Sequence, residues 1–225
     1  MSYIKSLFVI LLALILSASL SAQNNIKIIH AGSLLAIPGE KPLSNQTVVI
    51  RNGAIESVHS GFKSSTELGF DDAKVTDLKD KFVMPGFIDM HTHLTGERDP
   101  DANPHEWTTM NEQDLAFKSL PYLERTLHAG FTTVRNLGAD AELIGAIQRA
   151  TAKGLIAGPR IIYSGGAISA TGGHGDSHGY RTEILELDEN VGICDGADDC
   201  RRAVRARVKQ GAGVIKITAT GGVLS

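Results

Sequence analysis

The sequence predicts an α/β fold: a β-rich segment over residues 23–82, then four βα units of a parallel barrel over 83–225. Three observations carry that prediction. Short strand patterns crowd the first segment and are joined by turn signals. From residue 83 onward, apolar runs alternate four times with helical patterns, which is the grammar of parallel βα units. Two of the predicted strands also carry histidine or lysine near their ends, and strand ends are where a barrel builds its site. An open dinucleotide-binding sheet would place Gly-x-Gly-x-x-Gly after its first strand; here His-Thr-His-Leu follows instead.

The first 25 residues, "MSYIKSLFVILLALILSASLSAQNN", stand apart from either region. Lys5 precedes an apolar run, and small residues lead to Ala22. This is the pattern of a secretory signal peptide over residues 1–22, and it implies a secreted or periplasmic protein. The apolar part is too short for a comfortable membrane span, so no stable membrane anchor is expected. Within the β-rich segment, "IKIIHAGSLLA" and "QTVVIRNGAIESVHS" read as strands. Asn52-Gly53 marks a hairpin, because both residues accept positive φ. Residues 61–72 read as a polar loop, and the whole as a small antiparallel sheet. About 60 residues barely support a core alone.

The stretch "KFVMPGFIDMHTHLTGE" opens the second region. Its apolar run predicts a buried strand ending in His91 and His93. Strand side chains alternate, so the two imidazoles share a face, and Asp89 shares it with them. A divalent metal would account for two imidazoles at such a place. The plainer alternative is two exposed histidines at a strand end.

The elements that follow come in order. Residues 112–130 are helical, with Pro121 expected to kink or split the helix. "FTTVRNLG" is a strand, and Arg135 and Asn136 end it at the site face. "AELIGAIQRATAKG" is a helix with Gly154 as its stop. "PRIIYSGG" is a strand, followed by the Gly- and His-rich loop "AISATGGHGDSHGYR". There His174 is a candidate substrate contact, with Asp176 a weaker one and His178 beside them. "GADDCRRAVRARVKQGA" is a helix with acidic residues at its positive end. "GVIKITATGG" is the fourth strand.

Lys216 lies inside that fourth strand. A buried ammonium without a partner is expensive and tends to lose its charge. The neutral amine can form a Schiff base with a carbonyl compound. It can also add to CO₂ and become a carbamate, whose oxygens can hold metals. A salt bridge with a carboxylate such as Asp89 is the plainer reading.

Composition narrows the function classes. The net charge is -3, with no basic stripe, so no nucleic-acid partner is expected. The two cysteines, Cys194 and Cys200, flank "DGADD". An oxidising compartment permits their pairing. They are read as two unpaired thiols near a helix start, since sequence alone cannot supply the Cα separation a bridge needs.

"PGFIDMHTHL" followed about 120 residues later by "VIKITATGGVLS" resembles the amidohydrolase superfamily. "TGGHGD" and "CDGADDCRRAVR" narrow the resemblance to its imidazolonepropionase-like members, which include metallo-dipeptidases acting on Xaa-Pro or related substrates. The resemblance covers residues 26–225. It implies the N-terminal half of a (β/α)₈ TIM-type barrel, preceded by part of a small β-sandwich domain. It implies that His91 and His93 bind one metal, that Lys216 is carboxylated and bridges it to a second, and that the ions are zinc. Asp89 becomes an outer partner that orients a ligand. The expected reaction is hydrolysis of an amide or peptide-like carbon–nitrogen bond in a small molecule.

Members of this family draw two more histidines and a proton-shuttling aspartate from strands five, six and eight. No catalytic residue for those roles is assignable here, and the shuttle is expected beyond Ser225. The chain reads as an N-terminal fragment, inactive alone. Two competing readings are a Schiff-base lysine aldolase, which leaves His91 and His93 idle, and a truncated, non-catalytic paralogue. Substrate identity and homo-oligomerisation are not legible.

Overall fold

The computed structural model describes residues 25–97, 101, 108–187 and 190–222. The expected leader lies outside them, as do His105 and Trp107 of the loop after the His-x-His strand. The chain divides into two compact units between Pro85 and Gly86.

The first unit is a four-stranded sheet built from β1 (Ile26–Leu34), β2 (Leu43–Arg51), β3 (Ala54–Ser60) and β4 (Lys74–Val83). Their spatial order is β3-β2-β1-β4. The β2–β3 turn is the predicted hairpin: Arg51 pairs with Ala54, and Asn52 and Gly53 take φ of 51° and 84°. The expectation of an antiparallel sheet needs one correction. β4 pairs parallel with β1, so the sheet is mixed. The intervening loop carries the chain back across the sheet, a non-local pairing with no local signature. β1 and β4 approach closely at a register shift beside Gly32, where an added Cβ would stand 1.9 Å from the Lys79 carbonyl oxygen. Only glycine fits there. Ala31, Leu34 and Val48 form the buried centre, with Ile29, Ile50 and Val83 against it.

The second unit holds β5 (Phe87–Thr92), α1 (Glu112–His128), β6 (Phe131–Asn136), α2 (Ala141–Ala152), β7 (Arg160–Tyr163), the short α3 (Thr182–Leu185) and α4 (Ala197–Lys209). The three strands form a parallel sheet in the order β5-β6-β7. Leu123, Leu143, Ile144 and Ile147 of the helices pack on Val134, Ile161 and Tyr163 of the strands. α1 starts on a reciprocal capping box: the Asn111 side chain accepts from the Asp114 N–H, and the Asp114 carboxylate accepts from the Asn111 N–H, each at 3.0 Å. α2 starts on Asp140, whose carboxylate accepts from the Glu142 and Leu143 N–H groups. It stops as expected at Gly154, with φ 67°.

Four expectations are corrected here. The first strand is not buried: Ile88 is 59% exposed and Met90 52%. β5 is an edge of this sheet, with β6 as its neighbour, so its apolar residues lack cover on the other side. Pro121 does not split α1, which runs through it. Pro121 and Phe117, whose carbonyl loses its donor, are both exposed, so water can satisfy that carbonyl. The predicted fourth strand forms no regular ladder. It makes isolated contacts instead: Gly213 N–H to Tyr163 O, Ile168 N–H to Lys216 O, and Thr218 N–H to Ile168 O. Gly165, at φ 67°, turns the chain between those contact points and interrupts the pairing.

The fourth correction concerns the cysteines. Cys194 and Cys200 form a disulfide, with their Cα atoms 4.9 Å apart. Cys194 is fixed by its N–H to the Ser169 carbonyl, and Cys200 lies in the first turn of α4. The helix start thus folds back onto its own approach, inside the range a bridge allows. Closing so short a loop is worth about 2 kcal/mol by the chain-entropy relation.

Candidate active site

His91 sits near the end of β5 and His93 just beyond it, with ring centroids 5.4 Å apart. Together with Asp89 they line an open cavity of about 470 Å³, walled on its far side by Tyr122 and Arg125 of α1. The two imidazoles and Asp89 are thus brought together, as the strand alternation predicts.

Asp89 acts on the backbone rather than on an imidazole. Its Oδ1 accepts from the His91 N–H at 2.9 Å, which bends the chain at the strand end. The His91 imidazole has its pKa lowered below the ordinary 6.5. Partial loss of water is the largest cause, followed by the positive charge of Lys216, then His93 and Arg135; Asp89 opposes the shift. The neutral form of His91, which carries a free lone pair, is therefore favoured. Lys216 is half-buried and forms no ion pair among the described residues, so the plainer reading of a salt bridge to Asp89 is not observed.

The His93 ring is held differently. Its Nδ1 lies 3.2 Å from the Gly138 carbonyl oxygen. Asn136, fully buried, braces that turn: its Oδ1 accepts from the Leu94 N–H at 2.7 Å, and its Nδ2 donates to the same Gly138 carbonyl at 3.2 Å. The sequence places Asn136 at the site face but gives no sign of Gly138, because the contact spans strand ends remote in sequence. Arg135 donates from Nε to the Met90 carbonyl at 2.6 Å, tying β6 to β5.

His174 is not part of this cavity. Its imidazole lies against Gly222, so the loop after β7 meets the segment after Lys216. Asp176 and His178 serve that loop's own shape: Asp176 accepts from the Gly172 N–H, and the His178 Nε2 donates to the Gly173 carbonyl. Asp195, between the bridged cysteines, accepts from the Thr171 hydroxyl at 2.6 Å and pins the loop's start.

The donor set suits a metal in part. Two imidazoles adjoin, one disfavouring its proton and the other with one nitrogen engaged by a carbonyl. Among the described residues, no group of three His, Cys, Asp or Glu side chains is gathered, so any third donor must be of another kind, as Lys216 would be.

This constellation on parallel strands has counterparts. The family model for amidohydrolases matches residues 82–225. The chain belongs to the amidohydrolase family. Among curated amidohydrolase relatives, the ochratoxinase of Aspergillus niger is 31% identical over 218 residues, covering 90% of this chain and 44% of that protein. The imidazolonepropionase of Chromobacterium violaceum is 29% identical over 115 residues, covering 41% of this chain and 27% of that protein. The solved structure of a Xaa-Pro dipeptidase with bound methionine superposes with a TM-score of 0.77 at 34% identity, covering 89% of this chain and 48% of that one. The chain therefore spans about half the length of the amidohydrolases it matches over most of its own length, and its α/β fold is that of a partial barrel.

Proposed function

We propose that the protein is a metal-dependent hydrolase of a carbon–nitrogen bond in a small amide or dipeptide. The juxtaposition of His91 and His93, with the charge of Lys216 acting on His91, carries the reading. His91 and His93 would hold a zinc ion through their imidazoles, and Lys216, as a carbamate, would bridge it to a second. Such ions polarise a substrate carbonyl and lower the pKa of water. The protein's own residues fix the geometry: Asp89 sets the His91 backbone, and Gly138 holds the His93 ring. The names of the relatives, a dipeptidase among them, favour Xaa-Pro or similar acyl–amino-acid substrates. His174 would contact substrate from the loop after β7.

The 225-residue chain alone would be inactive. Asp89 is committed to the His91 N–H, and Glu97, the other carboxylate lining the cavity, is paired with Arg125 at 2.9 Å. Neither is free to carry a proton to a leaving nitrogen. The test uses the protein expressed from its natural gene against a panel of Xaa-Pro dipeptides and N-acyl amino acids. Activity should vanish on chelation and return with zinc. Full activity after the metal has been removed would refute the reading.

The disulfide suits an oxidising compartment, in keeping with removal of residues 1–22 on export. A mature protein beginning at or near Gln23 is expected on N-terminal sequencing, and a retained Met1 would contradict export by this route.

A further inference from the structure

The ends of β5 and β6 are laced around His93 more closely than two parallel strands require. The Thr92 carbonyl accepts from the Leu137 N–H at 3.0 Å, and the Leu94 N–H donates to the Asn136 side chain at 2.7 Å. These two bonds bracket His93 on both sides in sequence. The Asn136 carbonyl in turn accepts from the Ser164 N–H at 3.1 Å, which anchors the turn to the strand beyond. Gly138 completes the arrangement. An added Cβ there would lie 2.8 Å from His93 Cε1 and 3.0 Å from Nδ1. Yet Gly138 is not among the glycines with positive φ, so its backbone does not demand glycine. The missing side chain serves the imidazole.

We propose that the 136–138 turn is a positioning element that sets the tautomer and orientation of His93. The Gly138 carbonyl can only accept, so His93 Nδ1 must carry the hydrogen and Nε2 the lone pair. Asn136 Nδ2 donates to the same carbonyl and fixes its direction. Nε2 is thereby the nitrogen left open for a ligand. Asn136 and Gly138 act through His93 and touch no substrate. The use of Nε2 for metal rests on the reading of His93 as a ligand; the tautomer itself does not.

The decisive measurement is nitrogen NMR of the metal-free protein, expressed from its natural gene with labelled histidine, at mildly alkaline pH. The His93 signal is assigned by its loss in His93→Ala. Nδ1 should appear protonated and Nε2 bare; a protonated Nε2 in the wild type overturns the proposal without need of any variant. In Gly138→Ala the added methyl should displace the ring and abolish that preference. Zinc affinity, measured by equilibrium dialysis against the metal alone, should fall by about 10- to 100-fold. Asn136→Asp, which keeps the acceptor for the Leu94 N–H but loses the donor to Gly138, should lower affinity in the same direction. A folded Gly138→Ala protein with unchanged tautomer and affinity overturns the proposal. If His93→Ala keeps full zinc affinity, it is the ligand reading that fails, and the spectrum still decides the tautomer.

Discussion

Replacing His91 or His93 by alanine in the protein expressed from its natural gene is expected to lower zinc affinity by more than about 100-fold, beyond the usual cost of losing an outer partner. The kcat/KM should fall by about 1,000-fold or more. That follows because a metal contributes several kcal/mol of transition-state stabilisation, and each 1.36 kcal/mol is tenfold in rate. The two variants should behave alike, since their rings adjoin in one cavity. Both sit at an exposed strand end, so their removal costs little packing and the fold should persist. His128→Ala serves as the control. His128 is exposed at the last residue of α1, and its loss should leave affinity and rate unchanged. Loss of activity in His91→Ala with zinc still bound at full affinity would remove His91 from the metal site.

The second large effect concerns Lys216. As an ammonium, Lys216 disfavours positive charge at His91, and it would oppose a dication there by the same Coulombic force. Addition of its amine nitrogen to CO₂, with loss of a proton, reverses the sign and supplies oxygens. The account therefore requires the modification for metal binding. Lys216→Met keeps the side chain's length and apolar stem but cannot react. It should lose metal and fall in kcat/KM by about the same 1,000-fold as the histidine variants. Intact mass of the metal-loaded wild type should show one bound CO₂, lost on acid treatment and absent from the variant. Metal uptake should slow in bicarbonate-depleted buffer. Borohydride trapping of a carbonyl compound on Lys216, with metal dispensable, would instead establish the Schiff-base reading.

Much of this was legible in the sequence where the cause is local. Asn52-Gly53 specifies its hairpin by backbone tolerance, Gly154 stops α2 for the same reason, and the His-x-His alternation brings His91 and His93 onto one cavity. The family followed from the "PGFIDMHTHL" and "VIKITAT" segments. What stayed hidden depends on contacts between distant positions. The parallel pairing of β4 with β1 has no turn to announce it. The bridge between Cys194 and Cys200 depends on how the Ser169 segment holds the helix approach. The tolerance of α1 for Pro121 depends on which face meets water. The importance of Gly138 depends on an imidazole that arrives from another strand.

The account's central claim is that His91, His93 and a modified Lys216 gather one metal site. Anomalous diffraction at the zinc edge, on crystals of the active protein expressed from its natural gene, tests it most directly. The account predicts a peak about 2.0–2.1 Å from a nitrogen of each imidazole, with electron density for a carboxyl group on Lys216 reaching the same ion. Active protein whose metal lies elsewhere, or an unmodified Lys216 beside two unligated histidines, would contradict it.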